Sequence, residues 1–230
     1  MIKKTITFLL SCMTHVRFFL FHRCVKLSRG RAYLIRFRNG GAGNSFLSDG
    51  GEVAFLNLGF EGGNNVFVNH GRLNRCRIVF EGENNRLEIG ADSIVRSSKL
   101  ILRGNNLKIA IGERVDIGGM TAVCQGEGKS ITIGDDCLLS TDIDLWASDT
   151  HVIRDKDGSI LNPSESIRIG KHVWLGKRAA VLKGCSVGDN SVIGFGSVVT
   201  RNIPGNVVAA GNPASVLKQE VDWDKELIDI

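Results

Sequence analysis

The feature that most constrains this chain is a six-residue period. From residue 169 an aliphatic side chain recurs at every sixth position, at Ile169, Leu175, Val181, Val187, Ile193 and Val199, and glycine follows at Gly170, Gly176, Gly188 and Gly194. A period of six walks around a helix of 3.6 residues per turn without making a continuous stripe, so helices are excluded. A short strand followed by a turn does fit. Three such sides close a coil of about 18 residues, and the aliphatic position then points inward on every side. Successive coils stack as parallel strands about 4.8 Å apart.

Upstream the period continues less cleanly. Ile89, Val95, Ile101 and Leu107 keep the spacing, as do Ile111, Ile117 and Val123, and all are expected to face the core. Ile89, Ile111 and Ile133 lie 22 residues apart, which reads as one coil with extra residues in a turn. Turn-like clusters recur further back at Gly43-Asn44, Gly63-Asn64-Asn65, Glu83-Asn84-Asn85 and Gly104-Asn105-Asn106. Glycine and asparagine accept the left-handed conformation that tight turns need. The expected organisation is a basic, apolar helical segment over 1–32, a solenoid over 33–208, and a tail with a short helix over 209–230. The 36 residues from Ile133 to Ile169 read as two coils' worth, yet residues 146–166 are polar and turn-rich. Such a stretch is expected to loop out from a corner, where function tends to sit.

The charge is polarised. Residues 1–38 hold nine Lys or Arg and no acid, whereas the remaining 192 residues hold 20 basic and 24 acidic groups. A mildly negative body argues against a nucleic-acid-binding protein, and the basic end suits an anionic membrane surface. Its apolar runs are broken by His15, Arg17, His22 and Arg23, too soon for a spanning helix. An interfacial helix over residues 1–30, or a contact within an oligomer, is expected instead. The six cysteines show neither CxxC nor zinc-like spacing and are expected to be free thiols. The expected location is cytoplasmic, with a peripheral contact at the inner membrane.

The segments HVWLG, GDNSVIGFGSVVTRNIP and AAGNPASVLK between Ile167 and Lys218 resemble the hexapeptide-repeat acyltransferases, in particular the galactoside, maltose and capsular-polysaccharide O-acetyltransferases. The strong match covers residues 131–218. The resemblance implies a left-handed parallel β-helix, a homotrimer with active sites between neighbouring subunits, and acetyl-CoA as the acyl donor. It also implies that His151, 23 residues before Trp174, is the general base. Chemistry agrees, because imidazole is suited to take a proton from a sugar hydroxyl at neutral pH. Asp149 could orient the imidazole or be a solvated loop acid. By the same resemblance Trp174 lines the tunnel near the acetyl group, and Lys177, Phe195, Thr200, Arg201, Ser215 and Lys218 fall on coenzyme-contacting positions. Arg201 and Lys218 suit nucleotide phosphates. Phe195 stands where alanine is usual and Ser215 where a basic residue is common. His70 and His172 are read as surface histidines.

The expected activity is transfer of acetyl to a hydroxyl of a capsule, O-antigen or related surface glycan, with no metal. Two other classes remain, an amino-sugar N-acetyltransferase and a non-catalytic solenoid for assembly. The zinc carbonic anhydrases that share the helix need three ligating histidines, and the five histidines here lack that spacing.

Overall fold

The computed structural model describes residues 31–228 together with the short strands Ile6–Thr7 and Val25–Ser28. It is a three-faced parallel β-helix, the left-handed fold expected from the repeats. Face A holds nine strands, from Ile6–Thr7 and Arg36–Asn39 up to Ala180–Leu182 and Val198–Val199. Face B holds eight, from Val25–Ser28 to Ser186–Val187, and face C ten, from Arg31–Tyr33 to Val207–Gly211 and Ala214–Gln219. The chain visits B, C and A in turn, so each strand pairs in parallel with the strand one coil away. The exceptions are antiparallel. Ile6–Thr7 pairs with Arg36–Asn39, and Ala214–Gln219 folds back on Val207–Gly211.

Register explains the change of period. Below the insertion Val66 pairs with Arg86 and Arg86 with Lys108, so a coil takes 20 to 22 residues. Above it Arg168 pairs with Ser186 and Trp174 with Val192, at 18 residues per coil. Between them Ile131 pairs directly with Ile167. The 36-residue span is therefore one coil plus an excursion of the same length, not two coils.

The extra residues of the long coils sit at the A–B corner, where a column of asparagines stabilises them. Asn44, Asn65 and Asn85 are buried. Their side-chain oxygens accept the backbone N–H of Asn65, Asn85 and Leu107 at 2.8 to 3.0 Å, and their amides donate to Gly62, Gly82 and Gly104 carbonyls. Each asparagine thus satisfies one donor and one acceptor of the coil above, groups that would be costly to bury unpaired. Gly82 has φ +127, and a Cβ there would run into the Gly104 carbonyl, so the position requires glycine.

All six aliphatics from Ile169 to Val199 are at most 1% exposed. Lower down the expected register slips by one. Leu100 and Leu102 line the core above Ile78 and Phe80, while Ile101 and Val123 stand in an outward column of face A with Val79, Trp146 and Leu182. The longer strands and turns of these coils shift the phase of a strict six-residue count. The lower core is aromatic, with Phe46 stacked on Phe67 at 4.7 Å and Phe60 on Phe80 at 4.8 Å.

Among the described residues there is no helix. The C-terminal helix expected within 209–230 is replaced by the antiparallel hairpin and by an irregular segment over 220–228, because that segment bonds outward to the coils rather than to itself. Most of the expected N-terminal helix lies outside the described residues. Parallel pairing is already present at Val25–Ser28, ahead of Tyr33. No helix of the described residues is long and apolar enough to cross a membrane.

Candidate active site

The insertion leaves face A after Trp146 and rejoins face B at Ile167. Its root is closed by Ala147 N–H to the Val123 carbonyl and Glu165 N–H to the Ala147 carbonyl, at 2.9 and 3.0 Å. Ser148 is buried, and its hydroxyl accepts the Thr150 N–H at 3.0 Å. Thr150 takes φ 67, and the His151 N–H then reaches the Asp149 carbonyl at 2.7 Å. Residues 148–151 form a tight turn that presents His151 to solvent. Among the described residues the imidazole makes no hydrogen bond, so both ring nitrogens are open to a substrate.

The two limbs beyond the turn are cross-linked by Asn162. Its amide donates to the Asp149 carboxylate at 2.9 Å and to the His151 carbonyl at 2.8 Å, and its oxygen accepts the Ile153 N–H at 2.6 Å. Arg154 bridges Ile160, and Asp155 caps the hairpin end through the N–H groups of Asp157 and Ser159. The excursion is therefore an ordered hairpin. It exposes four aliphatic side chains, Val152, Ile153, Ile160 and Leu161, each more than half accessible.

Asp149 turns toward the scaffold. Lys183 Nζ lies 2.5 Å from its Oδ2, and this bond, with that from Asn162, holds the carboxyl below the usual carboxylate range. Its carboxylate is engaged by those two groups, and only its backbone carbonyl touches His151. Lys183 and Asn162 are parts of the site that motif reading missed. Lys183 had a signal, since one coil of 18 residues plus the excursion places it over Ala147, at the root of the loop.

The expected coenzyme residues fall into two groups. Thr200 and Arg201 follow the last face A strand at the A–B corner, one coil above Leu182 and Lys183 and on the side of the insertion. Arg201 is exposed and makes no ion pair among the described residues. The others surround face C. Trp174, 39% exposed, sits between Leu138 below and Val192 above. Lys177 and Phe195 lie at the C–A corner, where Lys177 is 3.8 Å from Asp142 and Arg178 rests over the Phe195 ring at 5.8 Å. Ser215 and Lys218 are exposed on the terminal strand of face C. Within one chain His151 and Trp174 stand on different sides, with face B between the loop's corner and the edge that carries Trp174.

His172 is not a free surface residue. Its ring stacks on Trp223 at 4.4 Å and 8°, and its Nε2 lies 2.7 Å from the Trp223 carbonyl. The four described buried cysteines are free. Desolvation pushes the Cys124 thiol up to about 12 and the Cys137 thiol to about 11, which removes them as nucleophiles at neutral pH.

A parallel β-helix with an ordered histidine loop at one corner defines a solenoid transferase. The family model for bacterial transferase hexapeptide (six repeats) matches residues 166–201. The solved polySia specific acetyltransferase NeuO is 32% identical, with a TM-score of 0.73 over 84% of this chain and 83% of that one. The polysialic acid O-acetyltransferase OatWY is 27% identical, with a TM-score of 0.59 over 75% and 93%. The galactoside O-acetyltransferase of Escherichia coli strain K12 is 42% identical over 42% of this chain and 47% of its own length. The chain belongs to the hexapeptide-repeat acetyltransferases. Its matches span about half the length of the first curated relatives.

Proposed function

We propose that this protein moves an acetyl group from acetyl-CoA to a hydroxyl of a surface glycan. The observation that carries the reading is the loop turn, which presents an unbonded imidazole on a backbone fixed by Ser148, Asn162 and the Lys183–Asp149 pair. His151 takes the proton of the acceptor hydroxyl as its oxygen attacks the thioester carbonyl. The carbon–sulfur bond breaks, and the imidazolium returns the proton to the departing sulfur. No covalent enzyme intermediate is needed when both substrates are held together.

The donor assignment is supported by residue chemistry. Trp174 and Phe195 offer exposed aromatic surface for the arm of the coenzyme, and Arg201 and Lys218 are exposed cations without acid partners, suited to phosphates. Asp149 acts on this reading as the anchor of the loop. The acceptor assignment is supported by the solved relatives, which by name act on polysialic acid. Arg72, Arg75, Arg77 and Lys99 lie exposed on neighbouring coils without ion pairs among the described residues, which favours a negatively charged glycan.

The two groups of site residues meet if copies associate around a three-fold axis, with the insertion of one beside face C of the next. The exposed aliphatics of the insertion and the outward column through Trp146 and Leu182 support such an association. The acid-free N-terminal run of cations supports contact of that end with an anionic surface. Incubating the full chain with acetyl-CoA and either an anionic or a neutral polysaccharide, then weighing the products, tests the reaction. Transfer that needs His151 supports the proposal, and acetylation of an amino sugar's nitrogen alone would replace it with the N-acetyltransferase reading.

A further inference from the structure

The last described residues form a strap down the B–C corner. The coils present a column there, in which Arg114, Asp136, His172, Asn190 and Asn206 each take a left-handed backbone conformation. Leaving the terminal hairpin, the chain bonds to this column from the top downward. Val221 N–H reaches the Asn206 carbonyl at 3.1 Å, Trp223 engages His172, and Lys225 Nζ reaches the Arg114 carbonyl at 3.1 Å.

The middle contact is the strongest. The Trp223 indole N–H donates to the His172 carbonyl at 2.8 Å while His172 Nε2 meets the Trp223 carbonyl at 2.7 Å. A carbonyl brings no proton, so Nε2 carries the hydrogen and donates it. Asp222 lies 3.3 Å from the same nitrogen. The two rings stack, and the other neighbour of Trp223 is Trp174, with ring centroids 5.9 Å apart at 42°. Trp174 is the first residue of its face C strand, directly past the corner. Its indole is partly exposed, and the strand pairs it only with the aliphatic Leu138 and Val192. Trp223 occupies the corner side of that indole.

We infer that Trp223 is a positioning residue: clamped onto His172, it confines the Trp174 indole to one rotamer over face C and thereby sets the wall against which acetyl-CoA is held. The inference rests on the reading that Trp174 contacts acetyl-CoA. Releasing the indole leaves it several rotamers, and the orientation must then be selected at binding, which weakens substrate capture without touching the proton transfer at His151.

Four variants test it in the full-length chain: Trp223→Ala, Trp223→Phe, His172→Asn and Trp174→Ala. Asparagine suits the left-handed backbone at 172, as Asn190 and Asn206 do above it, while removing the stacked ring. The expected result is a rise in KM for acetyl-CoA of about three- to tenfold for Trp223→Ala and His172→Asn. Turnover at saturating donor and KM for the acceptor should stay within about twofold, and Trp223→Phe should recover most of the loss. Near-ultraviolet circular dichroism should lose the signal of the paired indoles in Trp223→Ala. A lower Tm with wild-type KM in Trp223→Ala, while Trp174→Ala raises KM, would make the strap purely structural and overturn the inference. Wild-type KM in Trp174→Ala would instead remove the reading of Trp174 itself.

Discussion

Lys183 and Asp149 are 34 residues apart in the chain, yet Nζ and Oδ2 meet at 2.5 Å and tie the histidine loop to the coil above it. Lys183 is the more enclosed partner, with 17% of its side chain exposed. Lys183→Met keeps the length of the stem and removes the charge. It should lower turnover roughly 10- to 100-fold, the scale of a modest misplacement of a catalytic group. Hydrogen exchange should rise over residues 147–166 and nowhere else. The sign of the pH effect follows from Asp149. Its carboxyl is held low, so the anchor is intact above the ordinary carboxylate pKa and fails as pH falls through the lowered value. Exchange in the loop should therefore be flat from neutral pH down to the carboxylate range and rise only below it. A Lys183→Met enzyme with wild-type turnover and exchange would show the pair to be idle.

His151→Ala should leave coenzyme affinity nearly intact and reduce turnover by about 10²–10⁴, the usual effect of losing a general base. Because the ring makes no hydrogen bond among the described residues, its removal should not move the unfolding midpoint. Steady-state kinetics with calorimetric titration of CoA separates the two quantities. Undiminished turnover would transfer the base to another group.

Asn85 offers a test of what holds the long coils. Asn85→Ala leaves the Leu107 N–H and the Gly104 carbonyl without their partners in a position where the side chain is 1% exposed. Two buried groups at about 1–3 kcal/mol each place the expected loss of stability at about 2–5 kcal/mol. Urea unfolding should show this as a lower midpoint. Asn190 lies exposed at another corner and bonds to Asn206 through its amide, so Asn190→Ala should cost well under half as much.

The upper half of the solenoid was legible because every one of its coils repeats at the same length, so Ile169 to Val199 announce the core directly. In the lower half the coil length alternates, and counting by six carried Ile101 and Val123 to the wrong side. Hydrogen-bond register, which fixes Leu100 and Leu102 inward, is a property of paired strands and not of one. The same limit hid Lys183, whose place over the loop root is set by which coil lies above which. His151 was legible from spacing and residue type. Trp223 was not, because an irregular segment that bonds to carbonyls and ring faces leaves no periodic trace.

The arrangement of the site across chains can be tested by mixing. One chain carries His151, Thr200 and Arg201 on the A–B side and Trp174, Lys177, Phe195, Ser215 and Lys218 around face C, and face B separates His151 from Trp174. Each cleft of a cyclic trimer would take the first group from one subunit and the second from its neighbour. His151→Ala and Trp174→Ala should each be nearly inactive alone. After subunit exchange, some clefts of the mixed trimers would pair an intact His151 with an intact Trp174, and activity should return toward a fraction of wild type set by the mixing ratio. Mass spectrometry of differently tagged subunits verifies the exchange. A monomer by light scattering, or verified mixed trimers with no recovered activity, would mean that the two groups do not meet between chains.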